Sequence, residues 1–128
     1  MSSPSPISTK QIALTFLDHV KAGGIDAAFD LISDDACIKG GDGTASSKTQ
    51  LRMQLEAFRT LLASPFQQNI LGITAEQNRV AIAASGRAEL TNGRTYSNIY
   101  HFLFVIADGQ IHEMREYCNT NAITSAFR

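Results

Sequence analysis

The sequence predicts an α+β domain in which three N-terminal helices pack on one face of a curved antiparallel sheet. Apolar residues recur at helical spacing before Pro65, and the pattern changes to alternation after it. Two strong turn signals, Asn92-Gly93 and Asp108-Gly109, divide the second half of the chain into hairpins. Helices followed by an antiparallel meander favour one layer of helices against one sheet.

The three helices are predicted from their apolar spacing and their end signals. Ser8 is a suitable N-cap for the first helix, and Gly23 ends it. The second helix spans Ile25–Ile32. The third, Lys48–Leu62, has the clearest pattern, because its apolar residues repeat every three or four positions up to the following proline.

Five strands and a last helix complete the prediction. The first strand, Ala36–Lys39, follows the punctuating pair Asp34-Asp35 and precedes a glycine-rich loop. A last short helix begins at Asn119 or Thr120 and ends at Phe127. The loop and the four remaining strands span Gly40–Gly43, Phe66–Thr74, Asn78–Leu90, Thr95–Ala107 and Gln110–Cys118.

Length and charge limit the class of protein. The 128 residues predict one domain over residues 8–128 after a disordered Ser/Pro-rich tail, residues 1–7. With 11 basic and 12 acidic side chains, the chain lacks the basic surface that binds nucleic acid. The absence of a long apolar run and of a secretory signal predicts no membrane contact and a cytoplasmic location. Cys37 and Cys118 have no metal-ligand spacing, so both are expected to be reduced.

The first hairpin predicts which side chains share a face of the sheet. A two-residue turn at Asn92-Gly93 pairs Arg87 with Asn98, and it puts both on one face with Tyr100. Both faces are then largely apolar, so we expect the helices to cover one face and a second subunit the other. The low charged fraction, 18%, also indicates a covered surface and favours a homodimer.

The second hairpin leaves two registers open. A two-residue turn at Asp108-Gly109 pairs His101 with Glu116, whereas a three-residue turn with a bulge at Gly109 pairs Tyr100 with Glu116. The second register is favoured, and it places Glu116 beside Tyr100, Asn98 and Arg87.

Three segments of the second half resemble the SnoaL-like proteins. They are Asn98–Phe104, Asp108–Ile111 and Arg115–Thr120. This family belongs to the superfamily named after nuclear transport factor two, which includes ketosteroid isomerase and limonene-epoxide hydrolase. The resemblance implies a cone-shaped α+β barrel, a deep apolar pocket between sheet and helices, and dimers formed through the outer sheet face.

The resemblance assigns the general base to the last strand, at Glu116. Other motifs of the relatives are missing. Ser85-Gly86-Arg87 replaces the Arg-x-Asp pair of the hydrolase, Gly40 stands where the isomerase has its base, and Phe16 stands where the isomerase has a tyrosine. These departures leave the reaction open.

Four residues are therefore candidates for catalysis. Glu116 would move a proton, because a carboxyl in an apolar pocket has a raised pKa. Tyr100 would donate a hydrogen bond to a developing oxyanion, and Asn98 to a carbonyl oxygen. Arg87 would bind an anionic group of the substrate, although it equally suits an ion pair with Glu116. The residues expected to line the pocket and bind substrate are Phe16, His19, His101, Phe102, Met114 and Cys118.

The favoured function is a small enzyme that needs no metal and no other cofactor. Isomerisation, aldol-type cyclisation and epoxide opening of an apolar oxygenated small molecule all suit this set of residues. The alternative is a non-catalytic module of the same fold that binds a small molecule or mediates dimerisation.

Overall fold

The computed structural model describes residues 8–127, and the predicted tail lies outside this range. The α+β class is confirmed, with a curved, unclosed six-stranded sheet that carries the helices on one face. The helices are α1 (Thr9–Ala22), α2 (Ile25–Asp30), α3 (Lys48–Thr60) and α4 (Thr120–Ala126). The strands are β1 (Ile32–Gly40), β2 (Ala45–Ser46), β3 (Gln67–Glu76), β4 (Arg79–Glu89), β5 (Thr95–Ala107) and β6 (Gln110–Cys118).

The two long helices begin and end at residues that satisfy free backbone groups. The Ser8 side chain accepts a hydrogen bond from the Gln11 N–H at the start of α1, and Gly23 ends the helix with a φ of 87°. At the start of α3, Ser47 and Gln50 form a reciprocal capping box. The predicted limits of α1 are confirmed, and α3 ends two residues earlier than predicted.

Strand β1 begins earlier than the sequence predicts. The sequence predicts Ile32 in the second helix, but it is only 1% exposed and pairs with Ile111 of β6. Asp34 and Asp35 lie within the strand, where its register with β6 shifts. The pairing of β1 with β6 is parallel, so the otherwise antiparallel sheet contains one parallel pair. A pairing partner far along the chain therefore overrides the local signal of the two aspartates.

The hairpin between β4 and β5 has a three-residue turn and not the predicted two-residue turn. The Leu90 N–H donates to the Arg94 carbonyl oxygen (2.8 Å), and the Gly93 N–H donates to the Leu90 carbonyl oxygen (3.0 Å). Gly93 has a φ of 83°, which is the left-handed conformation that closes such turns. The extra residue pairs Asn98 with Gly86, so the predicted pairing of Arg87 with Asn98 is wrong.

The hairpin between β5 and β6 places Glu116 on the predicted face but with a different partner. The turn at Asp108-Gly109 contains two residues, both with positive φ (54° and 76°). One additional residue, His112, enters β6 after the turn, and the resulting bulge shifts the register. Glu116 therefore pairs with Phe102, and neither of the two predicted pairings occurs.

The core lies between the helices and the inner face of the sheet. Side chains of β4, β5 and β6 alternate between this core and the outer face. Phe104, Ile82 and Ile111 are fully buried, whereas Ile99 and Tyr117 of the outer face remain exposed. Within residues 8–127, no helix combines the length and the apolar character that crossing a membrane requires.

Candidate active site

A cavity of about 400 Å³ lies between the helices and the inner face of the sheet. Residues of all four helices line one side of the cavity, and residues of β3, β5 and β6 line the other. Most of the lining side chains are apolar, and among residues 8–127 only Arg59 and Glu116 of the lining are charged. The aromatic residues that line it are Phe16, Phe58, Phe66, Tyr96, Tyr100, Phe102 and Phe127.

Phe58 of α3 holds the aromatic wall together. Its ring meets Phe66, Tyr96 and Phe127 edge to face, with centroid distances of 5.6, 5.7 and 5.9 Å. Edge-to-face contacts of this kind add about 0.5–1.5 kcal/mol each to the burial of the rings. The contacts join α3, β5 and the segment after α4 into one wall of the cavity.

Gly86 of β4 gives two aromatic rings access to the cavity. A Cβ atom at this position would collide with the Phe66 ring and would lie 2.9 Å from the Tyr100 ring. The backbone of β4 therefore lies against both rings at Gly86, and any side chain at this position would displace the Phe66 ring or the Tyr100 ring.

Glu116 of β6 lines the cavity without a partner for its charge. Among the described residues, no cation lies within ion-pair distance of its carboxyl group, and no side chain donates a hydrogen bond to it. Burial raises the pKa of Glu116 above its ordinary value of 4.5, because desolvation disfavours the charged form. The expected neighbour Arg87 lies on the outer face, 59% exposed, and contacts Glu89.

A buried hydrogen-bonded chain connects Asn98, Tyr96 and Tyr100 on β5. The Asn98 Nδ2 group donates to the Tyr96 hydroxyl (2.9 Å) and to the Asn119 carbonyl oxygen (3.0 Å). The Asn98 Oδ1 atom accepts from the N–H groups of Ile99 (2.9 Å) and Asn119 (3.0 Å). The Tyr96 hydroxyl is also hydrogen-bonded to the Tyr100 hydroxyl.

This chain fixes how the tyrosines can donate. Two backbone N–H groups determine which end of the Asn98 amide is oxygen, so its NH₂ group must face Tyr96. Tyr96 can then donate to Tyr100, which leaves the Tyr100 hydrogen for a group in the cavity. Burial raises the pKa of both tyrosines, so both stay neutral at physiological pH and can act as donors.

The structure brings together five of the predicted site residues. They line the cavity, and they are Phe16, Tyr100, Phe102, Met114 and Glu116. Asn98 lies behind the tyrosines, and its amide is fully occupied by the contacts described above.

The other predicted residues lie outside the cavity lining. Arg87 occupies the outer face because the turn before β5 is one residue longer than predicted. His101 also occupies the outer face, because it alternates with Tyr100 and Phe102 along β5. His19 lies in the last turn of α1, and Cys118 packs against the core beside the cavity without lining it. Within residues 8–127, no three His, Cys, Asp or Glu side chains group in a way that could hold a metal ion.

Tyr96, Phe58 and Arg59 line the cavity but were not among the predicted site residues. The sequence could have predicted Tyr96, because it lies two residues before Asn98 and four before Tyr100 on one strand, so the three side chains face the same side of the sheet. Phe58 and Arg59 carried no such signal, since their positions depend on how α3 lies over the sheet.

The chain belongs to the SnoaL-like domain family, whose model matches residues 13–114. This confirms the family that the segments between Asn98 and Thr120 resemble. Among proteins with curated descriptions, none matches the chain significantly.

Solved structures agree with the fold. An LEH-like epoxide hydrolase from M. tuberculosis superposes with a TM-score of 0.76 at 14% identity, covering 92% of this chain and 87% of that one. A candidate polyketide cyclase from Pseudomonas putida gives 0.76 at 18% identity, covering 94% and 98%. An NTF2-like protein of unknown function from Burkholderia pseudomallei gives 0.80 at 11% identity, covering 94% and 98%. At these identities the likeness establishes the fold, and the reaction must be argued from the cavity.

Proposed function

We propose that the protein is a small enzyme that moves a proton on an apolar, oxygenated small molecule, with Glu116 as the general base and acid. The observation that carries this proposal is the unpartnered Glu116 carboxyl group in a mostly apolar cavity. A raised pKa brings a carboxyl closer to the working pH, where proton transfer in both directions is efficient.

The proposed step is an enolisation. The Glu116 carboxylate takes a proton from a carbon next to a carbonyl group, and the electron pair of that C–H bond moves onto the carbonyl oxygen. Tyr100 donates a hydrogen bond to this oxygen as its negative charge develops. The protonated Glu116 then returns the proton to the same or another carbon, which gives exchange or isomerisation. The same enolate could attack a second carbonyl in an aldol-type cyclisation.

Asn98 and Tyr96 have a positioning role in this proposal. They do not reach the reacting carbon, but their hydrogen bonds direct the Tyr100 hydrogen toward the substrate. A hydrogen-bond donor that is already oriented does not have to rearrange during the reaction. It can therefore stabilise the developing negative charge without a reorganisation cost.

A proton-exchange assay tests the proposal without knowledge of the natural substrate. Apolar ketones and β-keto esters are incubated with the protein in heavy water, and deuterium incorporation next to the carbonyl is followed by NMR. We expect the wild type to accelerate exchange for at least one compound, and Glu116→Gln to reduce this rate by about 100-fold or more.

Glu113→Gln is the matched control. Glu113 lies three residues before Glu116 on the same strand, but it faces away from the cavity and contacts Arg115 (3.4 Å). This variant should exchange at the wild-type rate. If Glu116→Gln retains the full exchange rate, Glu116 is not the base. Binding of these compounds without any exchange would favour the alternative, a non-catalytic binding module.

We also propose that the protein is a homodimer formed through the outer face of the sheet. Ile99 is 66% exposed and Tyr117 is 42% exposed on this face, beside the half-buried Leu103 and Val105. Exposed apolar side chains that cluster on a sheet are typical of a protein interface.

A further inference from the structure

Arg59 gives the cavity a cationic group near solvent. It lies in the last turn of α3, it is exposed, and it lines the cavity together with the exposed Gln54 and Ile123. Glu116, the other charged residue of the lining, lies on β6 and is half-buried. The cavity therefore has an exposed positive group on its helical side and a less exposed carboxyl group on its sheet side.

The charge of Arg59 is free to meet a ligand. Among residues 8–127, Arg59 has no ion-pair partner within 4.0 Å, whereas Arg52 of the same helix contacts both Asp26 and Glu56. Arg52 lies seven residues before Arg59 on the same helix, and it contacts the two acidic residues Asp26 and Glu56.

Gly23 leaves space for the guanidinium group. A Cβ atom at Gly23 would collide with the Arg59 guanidinium, so the arginine lies directly over this glycine at the end of α1. The partial negative charge at a helix C-terminus also favours a cation. The end of α1 therefore suits a guanidinium group without supplying an anionic partner that would neutralise it.

We propose that the cavity takes an amphiphilic anion, a small molecule whose apolar body contacts the aromatic wall and whose carboxylate, or another acidic group, lies against Arg59. This inference deepens the proposed function and uses the same site, since it names the class of substrate on which Glu116 would act. The oxygenated end of the ligand reaches Tyr100 and Glu116, and its acidic end stays near solvent.

Two fluorescent dyes that differ by one charge test the proposal. Anilinonaphthalene sulfonate is anionic, and N-phenylnaphthylamine has the same ring system without the sulfonate. We expect the wild type to bind the sulfonate about three- to tenfold more tightly than the neutral dye, because the anion gains a partly exposed charge-assisted contact. Higher salt should reduce this preference.

Three variants assign the preference to Arg59. Arg59→Gln should abolish it and leave the affinity for the neutral dye unchanged, which also shows that the variant is folded. Arg59→Lys should keep part of the preference. Arg79→Gln removes an exposed arginine outside the cavity and should keep all of it. A wild type that binds neither dye, or both equally, overturns the proposal, as does an Arg59→Gln protein with an unchanged preference.

Glu116→Gln separates this proposal from the proposed enzyme. It should eliminate proton exchange but should not weaken binding of the sulfonate, because it removes a negative charge from the cavity. A protein that prefers the anionic dye through Arg59 but catalyses no exchange would refute the enolisation and retain the anion site. Exchange that depends on Glu116, without any preference for the anion, would do the opposite.

Discussion

Glu116 reduces the stability of the folded protein in order to be available in the cavity. Glu116 is half-buried, and a carboxylate there loses part of its hydration without a cation or a hydrogen-bond donor in exchange. The cost applies only to the charged form, so it depends on pH.

The stability of Glu116→Gln relative to the wild type should therefore increase with pH. The folded-state pKa of Glu116 is raised, so below about pH 4 the residue is protonated in both states and carries no penalty. As the pH rises through the folded-state pKa, the wild type loses stability that the glutamine variant keeps. Urea unfolding of both proteins between about pH 4 and pH 8 measures this difference.

The comparison with Glu113→Gln makes that experiment specific. Glu113 contacts Arg115 on the outer face, so Glu113→Gln removes a favourable contact and should not become more stable than the wild type at any pH. A stability difference between Glu116→Gln and the wild type that stays constant with pH would show that the Glu116 carboxyl is hydrated.

Single residues of the site were predictable only where strand parity decides their direction. The sequence predicts a bulge at Gly109, and the structure has one at His112 instead. Either bulge adds one residue to β6, so in both cases Glu116 faces the same side of the sheet as Tyr100. The prediction for Arg87 is wrong because the turn between β4 and β5 has three residues and not two. A shift of one residue moves every side chain of a strand to the opposite face of the sheet. The contact between Tyr96 and Tyr100 depends on two rings that lean together over Asn98, which spacing alone does not reveal.

At the scale of elements, Asn98 joins β5 to α4. Its amide binds both backbone groups of Asn119, and the Asn119 side chain in turn caps α4. Asn92 and Arg94 hold the other end of this short helix through the carbonyl oxygens of Ala126 (2.8 Å) and Ser125 (2.6 Å). A helix of seven residues is marginal by itself, so these side chains determine where it lies.

Asn98→Ala should therefore loosen α4 as well as the tyrosine chain. The substitution leaves buried N–H and C=O groups without partners, and we expect it to lower the free energy of unfolding by about 2–3 kcal/mol. Hydrogen exchange should speed up first in the amides of α4. Asn69→Ala, on exposed β3, should change the stability by no more than about 0.5 kcal/mol. Unchanged exchange in α4 would contradict the linking role of Asn98.

The limits of the elements were predictable wherever local signals set them. Both ends of β5 and β6 agree with the sequence. The turns around Gly93 and Gly109 fix both ends of β5 and the start of β6, and the Asn119 cap of α4 follows the end of β6. For β1 the local signal of Asp34-Asp35 is misleading, and β2 has no local signal. Ile32 joins β1 through a partner in β6, and the two residues of β2 exist only as a short pair with β1.

At the scale of the whole molecule, the homodimer is the feature most easily tested. Light scattering with size-exclusion chromatography should give the mass of two chains for the wild type and of one chain for Ile99→Asp, since a charge would be buried in the interface. Met53→Asp is the control, because Met53 is 63% exposed on α3, away from the sheet. A monomeric wild type at micromolar concentration would rule out the proposed interface.

The overall architecture could be predicted, but the cavity only in part. Helical spacing followed by alternation suffices for an α+β domain, and the segments after Asn98 identify the family. The aromatic wall needs Phe58, Phe66 and Phe127 to converge from three separate parts of the chain. Such convergence depends on tertiary packing, and for the same reason the fold leaves the reaction undecided.

The parallel pairing of β1 with β6 has a consequence for synthesis on the ribosome. Strand β6 lies between β1 and β5, yet it is translated after both of them. Until it emerges, the nascent chain presents two unpaired strand edges, which are the surfaces that aggregate. The strand that joins β1 to β5 also carries Glu116, so a chain truncated before β6 would lack both a continuous sheet and the proposed base.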